Sequence, residues 1–194
     1  MRIITGKFKS RRLISPPTAS TRPTSDRARE SIFNIINILD NDFLQEAVVL
    51  DAFAGSGALG LEALSRGARH VTFMERNPQT AQIIKENIAA FQSESQCTLI
   101  IGDVTKPPKA PHPMNLVFLD PPYDQLIEEA CLTVLHNQGW INEKSLIILE
   151  TSAKRELKLP PNAAVIDQRR YGAALISFCY HKCGDLKRDG MGDQ

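Results

Sequence analysis

The sequence predicts an α/β fold: a mostly parallel, seven-stranded sheet with helices on both faces and an antiparallel edge at its C-terminal end. Three observations carry this. Short apolar runs and helical stripes alternate over residues 48–149, the pattern of strand–helix–strand crossovers. The runs Val48-Val49-Leu50 and Leu116-Val117-Phe118-Leu119 are apolar at every position, as strands buried on both faces are. The last two strand-like runs follow each other without a helix, which only antiparallel pairing allows.

Taken in order, Arg2-Ile3-Ile4 and Arg12-Leu13-Ile14 read as a short basic β-hairpin, with Gly6 and residues 7–10 between them. Ser15-Pro16-Pro17-Thr18 reads as a linker, and Arg22-Pro23-Thr24 continues the extended path. Thr24 or Ser25 is placed to cap a helix whose apolar stripe is Ala28, Ile32, Phe33, Ile36 and Leu39. Asp26 and Glu30 lie near its start, where the helix dipole favours them. Residues 48–50 form a strand ending at Asp51, followed by a helix over 57–66. Residues 70–74 form the next, ending at Glu75, and Pro78 opens a helix to about Phe91. Residues 98–101 form a third strand, ending at Gly102-Asp103. A proline-rich loop over 106–113 leads to the fourth strand at 116–119 and a helix to about His136. Residues 145–149 are the fifth strand. The runs 164–167 and 174–180 bracket Arg169-Arg170-Tyr171-Gly172, which reads as a hairpin turn. The expected organisation is an arm and linker over 1–23, a body over 24–182, and a polar tail over 183–194 that reads as disordered.

With 194 residues, 42% of them hydrophobic, the chain has the size of one domain with a substantial core. No stretch approaches ~18 continuous apolar residues, so no transmembrane helix is expected. The first residues lack an apolar signal region, and the expected location is the cytoplasm. Net charge is +1 but unevenly placed. Residues 1–30 carry eight basic and two acidic residues; the remainder carries fifteen basic and twenty acidic. That asymmetry suits a basic arm meeting nucleic acid, on a nearly neutral body. Cys97, Cys131, Cys179 and Cys183 form no disulfide framework. Cys179-Tyr180-His181-Lys182-Cys183 lacks a fourth ligand at zinc spacing, and no metal is expected. The four histidines form no catalytic cluster in the sequence.

Asp51-Ala52-Phe53-Ala54-Gly55-Ser56-Gly57-Ala58-Leu59-Gly60 contains Gly55-x-Gly57-x-x-Gly60, formally the dinucleotide fingerprint, between a strand and its helix. Glu75, with Arg76 beside it, ends the next strand, where a carboxylate can accept both ribose hydroxyls. A dinucleotide and S-adenosylmethionine both fit this outline. Three features, Asp51, Asp103 and Asp120-Pro121-Pro122-Tyr123, decide for S-adenosylmethionine; a carboxylate such as Asp51 beside a pyrophosphate is repulsive but suits a cationic amino-acid end. Asp103, with Val104 after it, is placed to accept from the adenine amine. Asp120-Pro121-Pro122-Tyr123, at the end of a buried strand, offers an acceptor, a stiff carbonyl and an aromatic face. That set suits a planar base with an exocyclic amine.

These strand ends resemble the Rossmann-like class I methyltransferases that use S-adenosylmethionine. Arg2-Ile3-Ile4, Gly6, Arg12-Leu13 and the string Arg22-Pro23-Thr24-x-Asp26-Arg27-x-Arg29-Glu30-x-x-Phe33-Asn34 narrow the resemblance to the RsmD family, which methylates N2 of one guanine in small-subunit 16S ribosomal RNA. The likeness runs from residue 2 to about residue 180 and includes Arg170-Tyr171-Gly172. It implies acceptor residues Asp120, Pro121, Pro122 and Tyr123, with the base unpaired or flipped out to stack on Tyr123. It implies cofactor contacts from Asp51, Ala52, Phe53, Gly55, Ser56, Gly57, Glu75, Arg76, Asp103, Val104 and Thr24, leaving S-adenosylhomocysteine as product. Arg2, Lys7, Lys9, Arg11 and Arg12 are expected on RNA phosphates. Arg22, Arg27 and Arg29 are expected either there or lining the pocket. The substrate implied is 16S ribosomal RNA in the small subunit or its assembly intermediate, with no obligate protein partner. Adenine-N6 DNA methylation, protein-glutamine methylation and non-catalytic RNA binding in ribosome assembly are the rival readings. No separate DNA-reading domain is visible, the basic arm disfavours a protein acceptor, and a pure binder has no need of Asp-Pro-Pro-Tyr.

Overall fold

A computed structural model describes residues 1–15, 26–121 and 127–181. The elements follow as α1 (Asp26–Leu39), β1 (Val48–Ala52), α2 (Ala58–Ser65), β2 (His70–Glu75), α3 (Pro78–Ala90), β3 (Cys97–Ile101), β4 (Leu116–Leu119), α4 (Glu128–Asn137), β5 (Leu146–Ser152), β6 (Ala163–Tyr171) and β7 (Ala174–His181). They build one seven-stranded sheet in the order β3-β2-β1-β4-β5-β7-β6. The first five strands are parallel; β7 pairs antiparallel with both β5 and β6. The winding reverses between β1 and β4, and open α/β sheets bind ligands where the strand order reverses.

The pleat sends alternate residues to opposite faces, and both faces are covered. Val49, Phe73, Phe118 and Ile148 pack beneath α1, α2, α3 and the N-terminal segment. Leu50, Met74, Val117 and Leu149 pack against α4 and Trp140. This two-sided burial is why the central strands are apolar throughout. Among the described residues, no helix is long and apolar enough to cross a membrane.

Three elements differ from the sequence reading. The N-terminal segment carries a single antiparallel bridge rather than two extended paired strands. That bridge joins Arg2 to Arg12, Ile3 N–H donates to the Arg11 carbonyl at 3.0 Å and Ser10 N–H to the Ile3 carbonyl at 2.9 Å, and the chain between them also binds α2. The amides of Ile4 and Thr5 donate to the Glu62 carboxylate at 2.7 and 3.0 Å, and Lys7 N–H donates to the Ser65 carbonyl at 2.8 Å. Gly6 makes that approach possible: its φ is +84°, and a Cβ there would lie 1.8 Å from the Ser65 carbonyl oxygen. Second, β6 runs on through Arg169, Arg170 and Tyr171, because Arg170 and Tyr171 still pair with Leu175 and Ala174. The turn is Gly172-Ala173 alone. Third, Arg29 faces the core with no exposed surface. The expected cap at Thr24 or Ser25, the linker, Arg22, and the tail beyond His181 lie outside the described residues.

Candidate active site

The four acidic residues singled out by the sequence stand at the C-terminal ends of four neighbouring strands. Across the sheet they run Asp103 after β3, Glu75 at the end of β2, Asp51 in β1 and Asp120 after β4. Only the strand order puts them on one lip.

The glycine turn between β1 and α2 is held from below. Phe53, Gly55 and Gly57 have φ of +61°, +57° and +77°, so every second residue is left-handed. A non-glycine residue such as Phe53 costs about 1 kcal/mol in that region, and such strain persists where the surroundings impose it. The surroundings here are hydrogen bonds. Ala54 N–H donates to the Met74 carbonyl at 3.1 Å, and Gly55 N–H donates to Glu75 Oε2 at 3.1 Å. Asp51 Oδ2 accepts from Gly60 N–H at 2.8 Å in the first turn of α2. Gly60 has a packing role: a Cβ would lie 2.4 Å from the Phe73 ring and 2.7 Å from Val71, so α2 could not seat on β2.

Asp51 is 3% exposed, and burial pushes its carboxyl up to about 7. The Gly60 hydrogen bond opposes that rise, and nearby Glu75 adds to it. Glu75 also accepts from Asn77 N–H through Oε1 at 2.9 Å, which fixes its rotamer at the lip. Each of its oxygens retains a lone pair for a further donor. Asp103 accepts from the amide and hydroxyl of Thr105, both at 2.8 Å on Oδ1, and these bonds hold its pKa below the ordinary value. Asp120 is raised well above the usual carboxylate range by burial, then by Glu150 and Asp51.

Ala52 and Val104 are buried in the core layer on the α4 side, Ser56 is nearly buried, and Arg76 is exposed beside Glu75. Pro121 is buried directly after Asp120. Pro122, Tyr123 and Thr24 lie outside the described residues. The basic set divides. Arg2, Lys9 and Arg27 border one groove of about 260 Å³ between the N-terminal segment and α1. Arg12 is exposed at the bridge to Arg2. Lys7 donates to Gln96 at 2.8 Å, and Arg11 to the Ala90 carbonyl at 3.4 Å, both near the opposite rim of the sheet. Arg29, expected either on RNA or lining the pocket, is wholly enclosed. Its Nη2 donates to the Arg2 carbonyl at 2.7 Å and to Asp26 at 2.8 Å, and burial lowers its pKa.

Asn87 is a participant the sequence reading passed over. Fully buried on α3, it accepts from Ile14 N–H at 2.8 Å and donates to the carbonyls of Ile14 and Ser56 at 3.0 and 2.9 Å. It therefore ties the N-terminal segment to the glycine turn. The available signal was its place on the stripe of Ile84 and Ile88, where a polar residue needs partners.

Two carboxylates, Asp51 and Glu75, flank the glycine turn, which suits ribose hydroxyls and a cationic amino-acid end and repels a pyrophosphate. Among the described residues, the only atom found within 4 Å of a Cβ built at Gly55 is the Phe53 carbonyl oxygen at 3.9 Å.

Known proteins share this architecture. A family model described as "Conserved hypothetical protein 95" matches residues 1–180. Ribosomal RNA small subunit methyltransferase D from Haemophilus influenzae is 33% identical over 92% of this chain and 91% of its own length. The protein of the same name from Escherichia coli K12 is 34% identical over 83% of this chain and 79% of its length. The solved Escherichia coli yhhF protein superposes with a TM-score of 0.82 at 31% identity, covering 94% of this chain and 98% of that one. A Salinibacter ruber RNA methyltransferase solved with S-adenosyl-L-homocysteine shares the fold at 12% identity, with a TM-score of 0.63 over 86% of this chain and 97% of that one.

Proposed function

This chain belongs to the RsmD family, whose model is described as "Conserved hypothetical protein 95", and on that premise we propose that it methylates ribosomal RNA with S-adenosylmethionine as donor. The acceptor proposed is the exocyclic N2 of one guanine in 16S ribosomal RNA, within the small subunit or an intermediate of its assembly. The location proposed with that substrate is the cytoplasm. The observation that carries the reading is the row Asp103, Glu75, Asp51 and Asp120 on four adjacent strand ends, beside a glycine turn flanked by carboxylates.

S-adenosylmethionine supplies an activated methyl group, so the protein's task is mainly to position. Glu75 would accept the ribose hydroxyls, Asp103 the adenine amine, and Asp51 would face the cationic amino-acid end. Asp120 and the Pro121 carbonyl would accept the two N–H groups of the guanine amine. Those bonds orient the nitrogen and stabilise the positive charge that develops on it. Tyr123 would stack on the base. Arg2, Lys9 and Arg27 would meet phosphates along the groove they border.

The test is transfer of labelled methyl to unmodified small subunits, naked 16S RNA and duplex DNA, with the product nucleoside identified by mass spectrometry. The reading requires N2-methylguanosine in RNA. Label in DNA alone, or in none of the three, would defeat it.

A further inference from the structure

The lip of the sheet is used unevenly. Asp103, Glu75 and Asp51 stand on β3, β2 and β1, and Asp120 follows β4. The cofactor takes the first three in the proposed mechanism, and the target base takes Asp120. β5, β7 and β6 reach the same lip with no part assigned to them. β7 starts there, because Ala174 pairs with Ser152, the last residue of β5. The exposed Gly172-Ala173 turn therefore stands at the lip. Ala153 N–H donates to the Ala173 carbonyl at 2.8 Å and joins the end of β5 to that turn. Tyr171 holds the turn from the other side, its hydroxyl sharing a hydrogen bond with the Ser31 hydroxyl on α1. Arg27, which borders the basic groove, lies one helical turn before Ser31.

Two exposed cations flank this turn. Arg170 Nε donates to the Gly172 carbonyl at 3.2 Å, which draws its guanidinium to the turn. Lys154 follows Ala153 in the loop after β5. The cations next to them are already matched: Arg155 pairs with Glu128, and Arg169 with Asp167 at 3.0 Å. Glu156, exposed in the same loop as Lys154, is offset by exposed Lys158. Among the described residues, neither Lys154 nor Arg170 has an ion-pair partner.

We propose that Lys154 and Arg170 hold phosphates of the substrate RNA on the side of the target base away from the cofactor. The proposal rests on the RNA methyltransferase reading of this site. A base held at Asp120 stays attached to its chain, and on one side of Asp120 the strand ends are taken by S-adenosylmethionine. The other side offers β5, β7 and β6. The last of these lies three strands from β4, about 14 Å at ~4.8 Å per strand, a span of a few nucleotides. A guanidinium gives a phosphate two parallel N–H bonds, and an ammonium adds a compact charge. Contacts of this kind set the register of the RNA without reading its sequence.

The test measures binding and methylation of unmodified small ribosomal subunits by the full-length protein over a range of salt concentrations. Lys154→Ala is expected to lower the log–log salt slope of binding by ~0.7–0.9, and Lys154→Ala with Arg170→Ala by ~1.4–1.8. The double variant is expected to raise KM for the subunits about tenfold with kcat and S-adenosylhomocysteine affinity within about twofold of wild type. Arg170→Lys, which keeps the charge, is expected to keep most of the slope that Arg170→Ala loses. A double variant with wild-type slope and KM overturns the proposal. So does an Arg170→Lys variant as weak as Arg170→Ala, which would make Arg170 a brace for the turn. Wild-type protein that transfers no methyl to the subunits defeats the underlying function together with this proposal; normal transfer with unchanged slopes defeats this proposal alone.

Discussion

The Asp51 carboxylate accepts the Gly60 amide at 2.8 Å while buried to 3% exposure, with its pKa raised to about 7. The direction matters for stability. The folded chain keeps a proton that the unfolded chain releases near the ordinary value of 3.8. The stabilisation is complete below that value and is lost as pH rises through about 7. Asp51→Asn keeps an acceptor oxygen for Gly60 and does not titrate. In ligand-free protein, wild-type stability is therefore expected to fall relative to Asp51→Asn by a few kcal/mol between pH 4 and 8. Urea unfolding at several pH values measures this; parallel curves for the two proteins contradict it.

Glu62 clamps the N-terminal segment to the body. It is fully buried and accepts from Ile4, Thr5 and Arg66 Nε, the last at 2.8 Å. Glu62→Ala strands two amides and a guanidinium, and a loss of about 3 kcal/mol is expected. Limited proteolysis should then cleave within residues 1–15 before the body. A variant as stable and as resistant as wild type rules the clamp out.

Glu75 and Asp120 stand on one lip but serve different ligands in the proposed mechanism, and two variants separate them. Glu75→Ala removes a charged acceptor and is expected to weaken S-adenosylhomocysteine binding ~10–100-fold by calorimetry. Asp120→Ala is expected to leave that affinity within about twofold and to lower kcat at least ~100-fold on ribosomal substrate. Near-normal turnover in Asp120→Ala would remove it from the mechanism.

The basic residues divide by exposure. Lys9→Ala and Arg27→Ala are each expected to reduce the salt dependence of RNA binding by about one counterion, a log–log slope change of ~0.7–0.9. Arg29→Met, at a position wholly enclosed, should leave that slope unchanged and alter stability only. A shifted slope for Arg29→Met would mean its guanidinium reaches RNA after all.

The local grammar of this fold was written in the chain. Uniformly apolar runs marked the parallel strands, because such strands are covered on both faces. Gly55, Gly57 and Gly60 marked the turn after β1, and Pro78 the start of α3 behind its Asn77 cap. Arg169 and Arg170 were misplaced in a turn because short-range signals cannot tell a strand end from its hairpin when pairing with Leu175 and Ala174 continues. Arg29 was misread because its position on α1 says nothing of which neighbour covers that face.

The sequence by itself determined which residue types close each strand, and with them the candidate chemistry at Asp51, Glu75, Asp103 and Asp120. Tertiary structure alone decided who stands beside whom. The order β3-β2-β1-β4-β5 sets Glu150 next to Asp120, and the docking of residues 4–8 on Glu62 and Ser65 ties the N-terminal segment to α2. Periodicity and turn preferences act over a few residues; strand neighbours and buried polar partners are fixed by packing across the whole chain.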